Sequence, residues 1–72
     1  MTAKQYRDAI QTLGMSQTRA AQFFKVDDQT SRRWALGQSE IPEAVAMLLR
    51  LMIRLRLTPE QTEKEFDRII KL

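Results

Sequence analysis

Histidine and cysteine are both absent from the 72 residues of this chain. Their absence removes disulfides, thiolate nucleophiles, haem attachment through thioethers, imidazole acid–base catalysis and the usual ligands of structural zinc. The carboxylates that remain show no spacing that would pair two of them for phosphoryl or glycosyl transfer. We therefore expect a protein that is not an enzyme and that needs no cofactor and no metal ion.

Residues that break helices are scarce, since the chain has two glycines and two prolines, and its hydrophobic fraction of 43% is ordinary. This composition favours an all-α fold. Because compact domains mostly hold about 100 to 200 residues, we expect residues 1–72 to form a single domain. A core of this size supplies only about 3 to 5 kcal/mol, so packing against a partner chain is expected.

Long hydrophobic runs are also missing. No segment approaches the roughly 20 apolar residues of a membrane span. The stretch from Met1 to Gln5 leads into charged sequence without the apolar run of a signal peptide. We expect a cytoplasmic protein with no membrane partner.

Charge is unevenly distributed along the chain. Twelve Lys and Arg against nine Asp and Glu leave a net charge of +3, with a pI near 9.8. Residues 1–57 carry nine basic and five acidic side chains, a net +4, whereas residues 58–72 carry three and four, a net −1. The mild basic excess suggests a polyanionic partner for the first segment. Residues 58–72 are expected to form a packing or dimerisation helix.

Capping signals predict the first and fourth helices. Thr2 with Gln5 forms a capping-box pattern at the start of the first helix. Pro42, placed in the first turn, predicts the start of a fourth helix that runs to about Arg56. This fourth helix is apolar nearly all round, so part of its surface is expected to meet another chain. Its second apolar face consists of Met47, Leu51 and Leu55.

A second capping box, Thr58 with Gln61, predicts the start of the last helix. Phe66, Ile69 and Ile70 recur at helical spacing and are expected to form its inner face. The pattern places the end of this helix near Lys71.

Two short helices stand between these elements. Ser16 is a suitable N-cap for a helix from Gln17 to Phe24, and Asp27 for a helix from Asp28 to Leu36. Two short helices joined by a tight turn are typical of a helix-turn-helix, which places its second helix in the major groove of DNA. The spacing therefore favours a DNA-binding function.

Helical spacing also predicts which side chains of this pair face inward. The expected inner positions are Ala20, Ala21, Phe24, Ser31 and Trp34. The outward or flanking positions of the second helix are Gln29, Thr30, Arg32 and Arg33. An amide can pair with adenine and a guanidinium with guanine, so this helix carries the chemistry of base reading.

At these residues the sequence resembles the Cro and phage-repressor type of helix-turn-helix, also called the Xre family. The resemblance covers roughly residues 3 to 57 and is densest between Ser16 and Pro42. The residues that carry it are Met15-Ser16-Gln17, Ala20-Ala21, Phe24, Val26, Thr30, Arg32-Arg33-Trp34 and Gly37. It implies a compact bundle of five helices of the lambda-repressor-like type whose members usually act as dimeric transcriptional regulators.

The resemblance also implies roles for individual residues. Gln17 falls where the second helix of the family contacts a phosphate. Asp28, Gln29 and Arg33 fall on base-reading positions, with Arg32 beside them and Thr30 as a weaker candidate. The loop residues Gln38 and Ser39 fall where the backbone of the family contacts DNA. Asp28 has a second interpretation, in which it only favours the positive end of the helix dipole.

The sequence departs from the family pattern in the helix pair itself. Lys25 stands where the turn usually has glycine, and a lysine in the left-handed region costs about 1 kcal/mol. Ser31 stands where an aliphatic residue is usually buried, so its hydroxyl is expected to bond the carbonyl four residues back, that of Asp27. Asp27 and Asp28 bring negative charge to the end that should approach DNA.

The implied function is a transcriptional repressor that binds an inverted repeat of double-stranded DNA as a homodimer. The regulator of a phage or mobile element, including the small repressors of anti-CRISPR operons, and an antitoxin that also binds a toxin fit the same features. A protein-interaction module that kept the helix pair but lost DNA binding is the alternative from another class.

Overall fold

Five α-helices and no strand make up the part of the chain that the structure, a computed structural model, describes, residues 1–70. The all-α expectation is confirmed. The helices are α1 (Ala3–Thr12), α2 (Gln17–Phe24), α3 (Asp28–Leu36), α4 (Glu43–Leu55) and α5 (Pro59–Ile70). No helix in this part is long and apolar enough to cross a membrane. The helix end predicted near Lys71 and the inward position predicted for Ile70 lie outside what is described.

Side-chain caps set the starts of four helices. Both capping boxes are confirmed, because the Thr2 hydroxyl accepts from the Gln5 amide at 3.1 Å and the Thr58 hydroxyl from the Gln61 amide at 3.0 Å. The caps of α2 and α3 are Ser16 and Asp27, as predicted. The prediction for α4 was wrong by one position. Pro42 occupies the N-cap position and not the first turn, and α4 begins at Glu43. No side chain caps the start of this helix with a hydrogen bond.

The core lies where α1 packs against α3 and α4, and α2 packs against α3. Trp34 is its aromatic centre, with its ring 5.7 Å from that of Tyr6 and 6.3 Å from that of Phe24, both edge-on. Phe24, which was expected to face inward, is only half-buried, whereas its neighbour Phe23 is buried. The buried aromatic side chain of α2 is therefore that of Phe23. Both phenylalanine rings pack against the core, and the rings of Phe23 and Phe24 also meet edge-on at 5.0 Å.

Ser31 is fully buried, and its hydroxyl does not bond the Asp27 carbonyl as expected. It donates instead to the carbonyl of Gln17 at 3.0 Å. Because its only proton is used there, the Tyr6 hydroxyl, 2.7 Å away, must donate to Ser31. Burial raises the pKa of the Tyr6 phenol and the bond to Ser31 lowers it less, so the proton is retained at neutral pH. This chain of hydrogen bonds joins α1, α3 and the start of α2.

Replacing Ser31 by alanine should lower the free energy of unfolding by about 1 to 3 kcal/mol, because it leaves the buried hydroxyl of Tyr6 without its hydrogen-bond partner. Tyr6→Phe should also destabilise, and the double variant should lose less than the sum of the two. Urea unfolding of the four proteins measures this. Strictly additive losses would show that the two hydroxyls do not act together.

The link between α2 and α3 turns through Lys25, which adopts φ 57° and ψ 42°, the left-handed conformation usually taken by glycine. The Val26 amide donates to the Ala21 carbonyl at 3.0 Å, which satisfies the last turn of α2. Asp27 then caps α3. The turn therefore has the conformation that glycine would give it, at the cost of about 1 kcal/mol for a side chain in this region.

The last helix, α5, is held mainly at its beginning. Pro59 and Thr62 are buried, and the carboxylate of Glu63 accepts two hydrogen bonds from Arg19 of α2, the shorter at 2.7 Å. The expectation that Phe66 and Ile69 face inward was wrong, since both are exposed. Burial on this side of α5 is confined to its first turn, which holds Pro59 and Thr62.

Candidate nucleic-acid interface

The inner side of α3 is held by contacts with two other helices, α1 and α2, and these contacts fix the direction of its outer side. Ser31 bonds to α1 and α2, and Trp34 packs between Tyr6 and Phe24. At the end of α3, the Arg7 guanidinium of α1 donates to the Ala35 carbonyl. A cation at the C-terminal end of a helix also interacts favourably with the helix dipole. The outer side is thus carried on a rigid support.

The outer side of α3 presents an exposed polar surface. Asp28, Gln29, Arg32 and Arg33 are exposed and line one shallow recess together with Gln38, which follows the helix. Leu36 lies among them and is 55% exposed. Five of these six residues were predicted from the sequence as site residues, and the structure brings all six together.

The start of α2 adjoins this surface. Gln17 and Thr18 are exposed and line a second recess with Asp28 and Arg32 of α3. Arg32 and Leu36 border both recesses, so the two form one continuous surface. Gln17, predicted from a different helix, is therefore adjacent to the α3 candidates. We call the surface formed by Gln17, Thr18, Asp28, Gln29, Arg32, Arg33, Leu36 and Gln38 the α3 face.

Two of the predicted site residues lie apart from the α3 face. Thr30 is half-buried, and its hydroxyl donates to the Asp27 carboxylate at 2.7 Å. Ser39 is exposed but lines a separate cleft between the α3–α4 loop and the N-terminus, which Gln38 also borders. Thr30 thus contributes to the cap of α3, and Ser39 lies at the edge of the candidate site.

The arginines of the α3 face have no acidic partner among the described residues. Arg32 and Arg33 are exposed and neither forms an ion pair there. Arg19 of α2 differs, because it forms ion pairs with Glu63 and Glu60, and its hydrogen bonds to Glu63 raise its pKa. The chain therefore neutralises Arg19 internally while it leaves two guanidinium groups available on the outer side of α3.

The two aspartates at the start of α3 have different surroundings. The hydroxyl and the amide of Thr30 both donate to Asp27 and hold the pKa of its carboxyl below the ordinary value of 3.8, with a smaller contribution from the charge of Arg33. Asp28 is exposed and lies on the α3 face. Its carboxylate opposes phosphate nearby but is able to accept from the amino group of cytosine.

The lowered pKa of Asp27 predicts an acid-dependent loss of stability. A carboxyl whose pKa is depressed by folding stabilises the native state above its unfolded pKa, and this contribution disappears as the pH falls through the lowered value. Between about pH 5 and pH 2, wild-type stability should therefore fall further than that of Asp27→Asn, which retains a capping oxygen without the charge. Thermal unfolding followed by circular dichroism measures this, and parallel curves would contradict it.

Sequence reasoning missed Leu36 and Thr18 as parts of the site. Leu36 follows Arg32 by four residues and Arg33 by three, so helical spacing alone places it on the same side of α3. Thr18 lies one position after Gln17 in the first turn of α2. An exposed leucine among polar residues is suited to contact the methyl group of thymine.

Comparison of the chain with protein-family models, with curated proteins and with solved structures found no match.

Proposed function

We propose that this chain is a sequence-specific, double-stranded DNA-binding transcriptional regulator whose α2 and α3 act as a helix-turn-helix. Its action in the cytoplasm is that of a repressor of a phage or mobile element, bound to an inverted repeat as a homodimer. The observation that carries the proposal is the α3 face, where an amide, an exposed leucine and two guanidinium groups lie on one helix, and the guanidinium groups form no ion pair within residues 1–70.

The chemistry of the α3 face matches base reading in the major groove. Arg33 and Gln29 supply the groups that recognise guanine and adenine, and Leu36 supplies an apolar surface for thymine. Gln17 and Thr18 supply amide, hydroxyl and backbone N–H donors at the start of α2, where phosphate binding is favoured. The arrangement thus separates groups that fix position on the backbone from groups that read sequence.

The mechanism of such a regulator is occupancy. Two copies related by a two-fold axis place their α3 helices about 34 Å apart, one turn of the duplex, and so select two half-sites in inverted orientation. Bound in this way across a promoter, the protein blocks polymerase. The regulator requires no catalysis and no cofactor for this action.

The salt dependence of DNA binding tests the proposal. Titrating labelled duplex DNA at a series of salt concentrations should give a linear fall of log K with log salt, with a slope of about −0.9 per phosphate contacted. The double variant Arg32→Glu, Arg33→Glu, which reverses the charge of both side chains, should no longer bind DNA. Its helix content, measured by circular dichroism, should equal that of the wild type. An affinity that is absent, or that does not change with salt, would refute DNA binding.

The competing function is that of a protein-interaction module, which includes an antitoxin that binds a toxin. Asp28 on the α3 face favours it, because a carboxylate at this position opposes the phosphate backbone. The salt titration separates the two, since an interaction module shows no binding to duplex DNA at any salt concentration.

A further inference from the structure

Gln17 belongs to the α3 face, although it lies at the start of α2. Its side chain is exposed and borders the same recess as Asp28 and Arg32 of α3. In the proposed function Gln17 contacts a phosphate while α3 reads bases. Both contacts form together only if the start of α2 is held at a fixed distance from α3. The contact that fixes this distance is therefore part of the site.

Large side chains join α2 to α3 at the end of α2 and not at its start. The ring of Phe24, the last residue of α2, packs edge-on against that of Trp34. None of the first three residues of α2 is buried, and Ala20 and Ala21 follow them. Such short side chains interlock little, and the hydrophobic effect has no direction. Apolar packing therefore constrains the end of α2 more than its start.

Ser31 supplies a directional contact at the start of α2. Its hydroxyl is fully buried on α3 and donates to the Gln17 carbonyl at 3.0 Å. Within residues 1–70 this is the only hydrogen bond that a side chain of α3 makes with α2. Because a hydrogen bond weakens steeply as its geometry departs from linear, this bond restricts where Gln17 lies relative to α3.

The two hydrogen bonds of Ser31 join different pairs of helices. The bond from Tyr6, at 2.7 Å, joins α1 to α3, whereas the bond to Gln17 joins α3 to α2. Ser31 accepts the first bond and donates the second, so Tyr6→Phe removes only the first. The position of α2 can therefore be tested apart from the stability of the buried network.

We propose that Ser31 is a positioning residue of the DNA site. Its hydroxyl holds the first turn of α2 where Gln17 meets a phosphate while the side chains of α3 meet bases. The inference rests on the proposed function and assigns a part in DNA recognition to a buried residue that touches no DNA. It gives a purpose to a buried hydroxyl at a position where the resembled family usually has an aliphatic side chain.

Titration of the preferred duplex with two variants of the network tests the proposal. Ser31→Ala should weaken binding by about tenfold or more, because the phosphate contact of Gln17 is misplaced in both half-sites. Tyr6→Phe is the matched control, since it removes a hydrogen bond of the same network but keeps Ser31 bonded to Gln17. Its affinity should stay within about twofold of the wild type. All titrations use a temperature at which circular dichroism shows each protein folded.

A double-mutant cycle shows whether Ser31 acts through Gln17. Gln17→Ala should weaken binding by about tenfold in the wild type but by about threefold or less in Ser31→Ala. The slope of log K against log salt should be the same for all these proteins, because neither residue is a cation whose phosphate contact releases counterions. A general loosening of the site would instead disturb the contacts of its arginines and lower the slope.

Ser31→Cys replaces Ser31→Ala if the alanine variant does not fold, because a thiol fills the same space and donates only weakly. The same losses are expected for it. Equal effects of the Ser31 and Tyr6 variants on affinity, or additive effects of the Ser31 and Gln17 variants, would overturn the positioning role while the proposed function stands. A wild type that binds no duplex DNA would refute the proposed function and the role of Ser31 together.

Discussion

Arg33→Ala should weaken binding to the preferred DNA by about 30-fold to 20,000-fold. A guanidinium that reads a base contributes about 1 to 3 kcal/mol, and a dimer loses this contribution in both half-sites, so the expected total is about 2 to 6 kcal/mol. The preference for one base pair in each half-site should relax at the same time. Titration of the preferred duplex and of variants at each position measures both effects.

Lys64→Ala is the matched control for Arg33→Ala, because it removes the same charge from an exposed position on α5. It should change affinity only slightly, through the net charge of the protein. If Arg33→Ala weakens binding equally on every sequence, Arg33 contacts phosphate and does not read a base. An unchanged affinity would remove Arg33 from the interface.

Trp34→Ala should unfold most of the chain at room temperature. Trp34 is 4% exposed and packs against both Tyr6 and Phe24. Truncating a buried tryptophan costs about 3 to 5 kcal/mol. This loss in the free energy of unfolding is comparable with the stabilisation of about 3 to 5 kcal/mol that the whole core of a domain of this size supplies. Helical circular dichroism and urea unfolding measure the loss.

Leu36→Ala provides the comparison on the same helix. Leu36 is exposed, so its truncation should change stability by only about 0.5 kcal/mol or less. The contrast separates the inner side of α3, which carries stability, from its outer side, which is available for a ligand. A Trp34→Ala protein with wild-type stability would contradict the assignment of Trp34 as the centre of the core.

Local signals in the sequence were sufficient to predict most of the helices. The bounds of α2 and α3 follow from Ser16 and Asp27, because a side chain that caps a helix acts on an amide only three residues away. The α3 face follows in the same way, since helical spacing assigns each residue a side. Leu36 lies on this side by the same spacing, but an apolar side chain carries no local sign that it stays exposed.

What the sequence did not predict depends on contacts between distant segments. The Ser31 hydroxyl forms hydrogen bonds with Tyr6 and Gln17, which are 25 and 14 residues away in the sequence. The packing of α3 against other helices therefore determines these partners, and the sequence of α3 alone does not. The contact between Arg19 and Glu63 spans 44 residues. The exposure of Phe66 likewise depends on which turns of α5 are covered by the other helices. Helical spacing predicts the side of the helix on which a residue lies but not whether that side is covered.

Selection from a pool of random duplexes tests the central claim most directly, because it reports affinity, base preference and symmetry in one experiment. A dimeric helix-turn-helix protein should enrich an inverted repeat whose half-sites are centred about 10 base pairs apart, one turn of the double helix. A pool that remains random after repeated rounds of selection by the folded wild-type protein would contradict it.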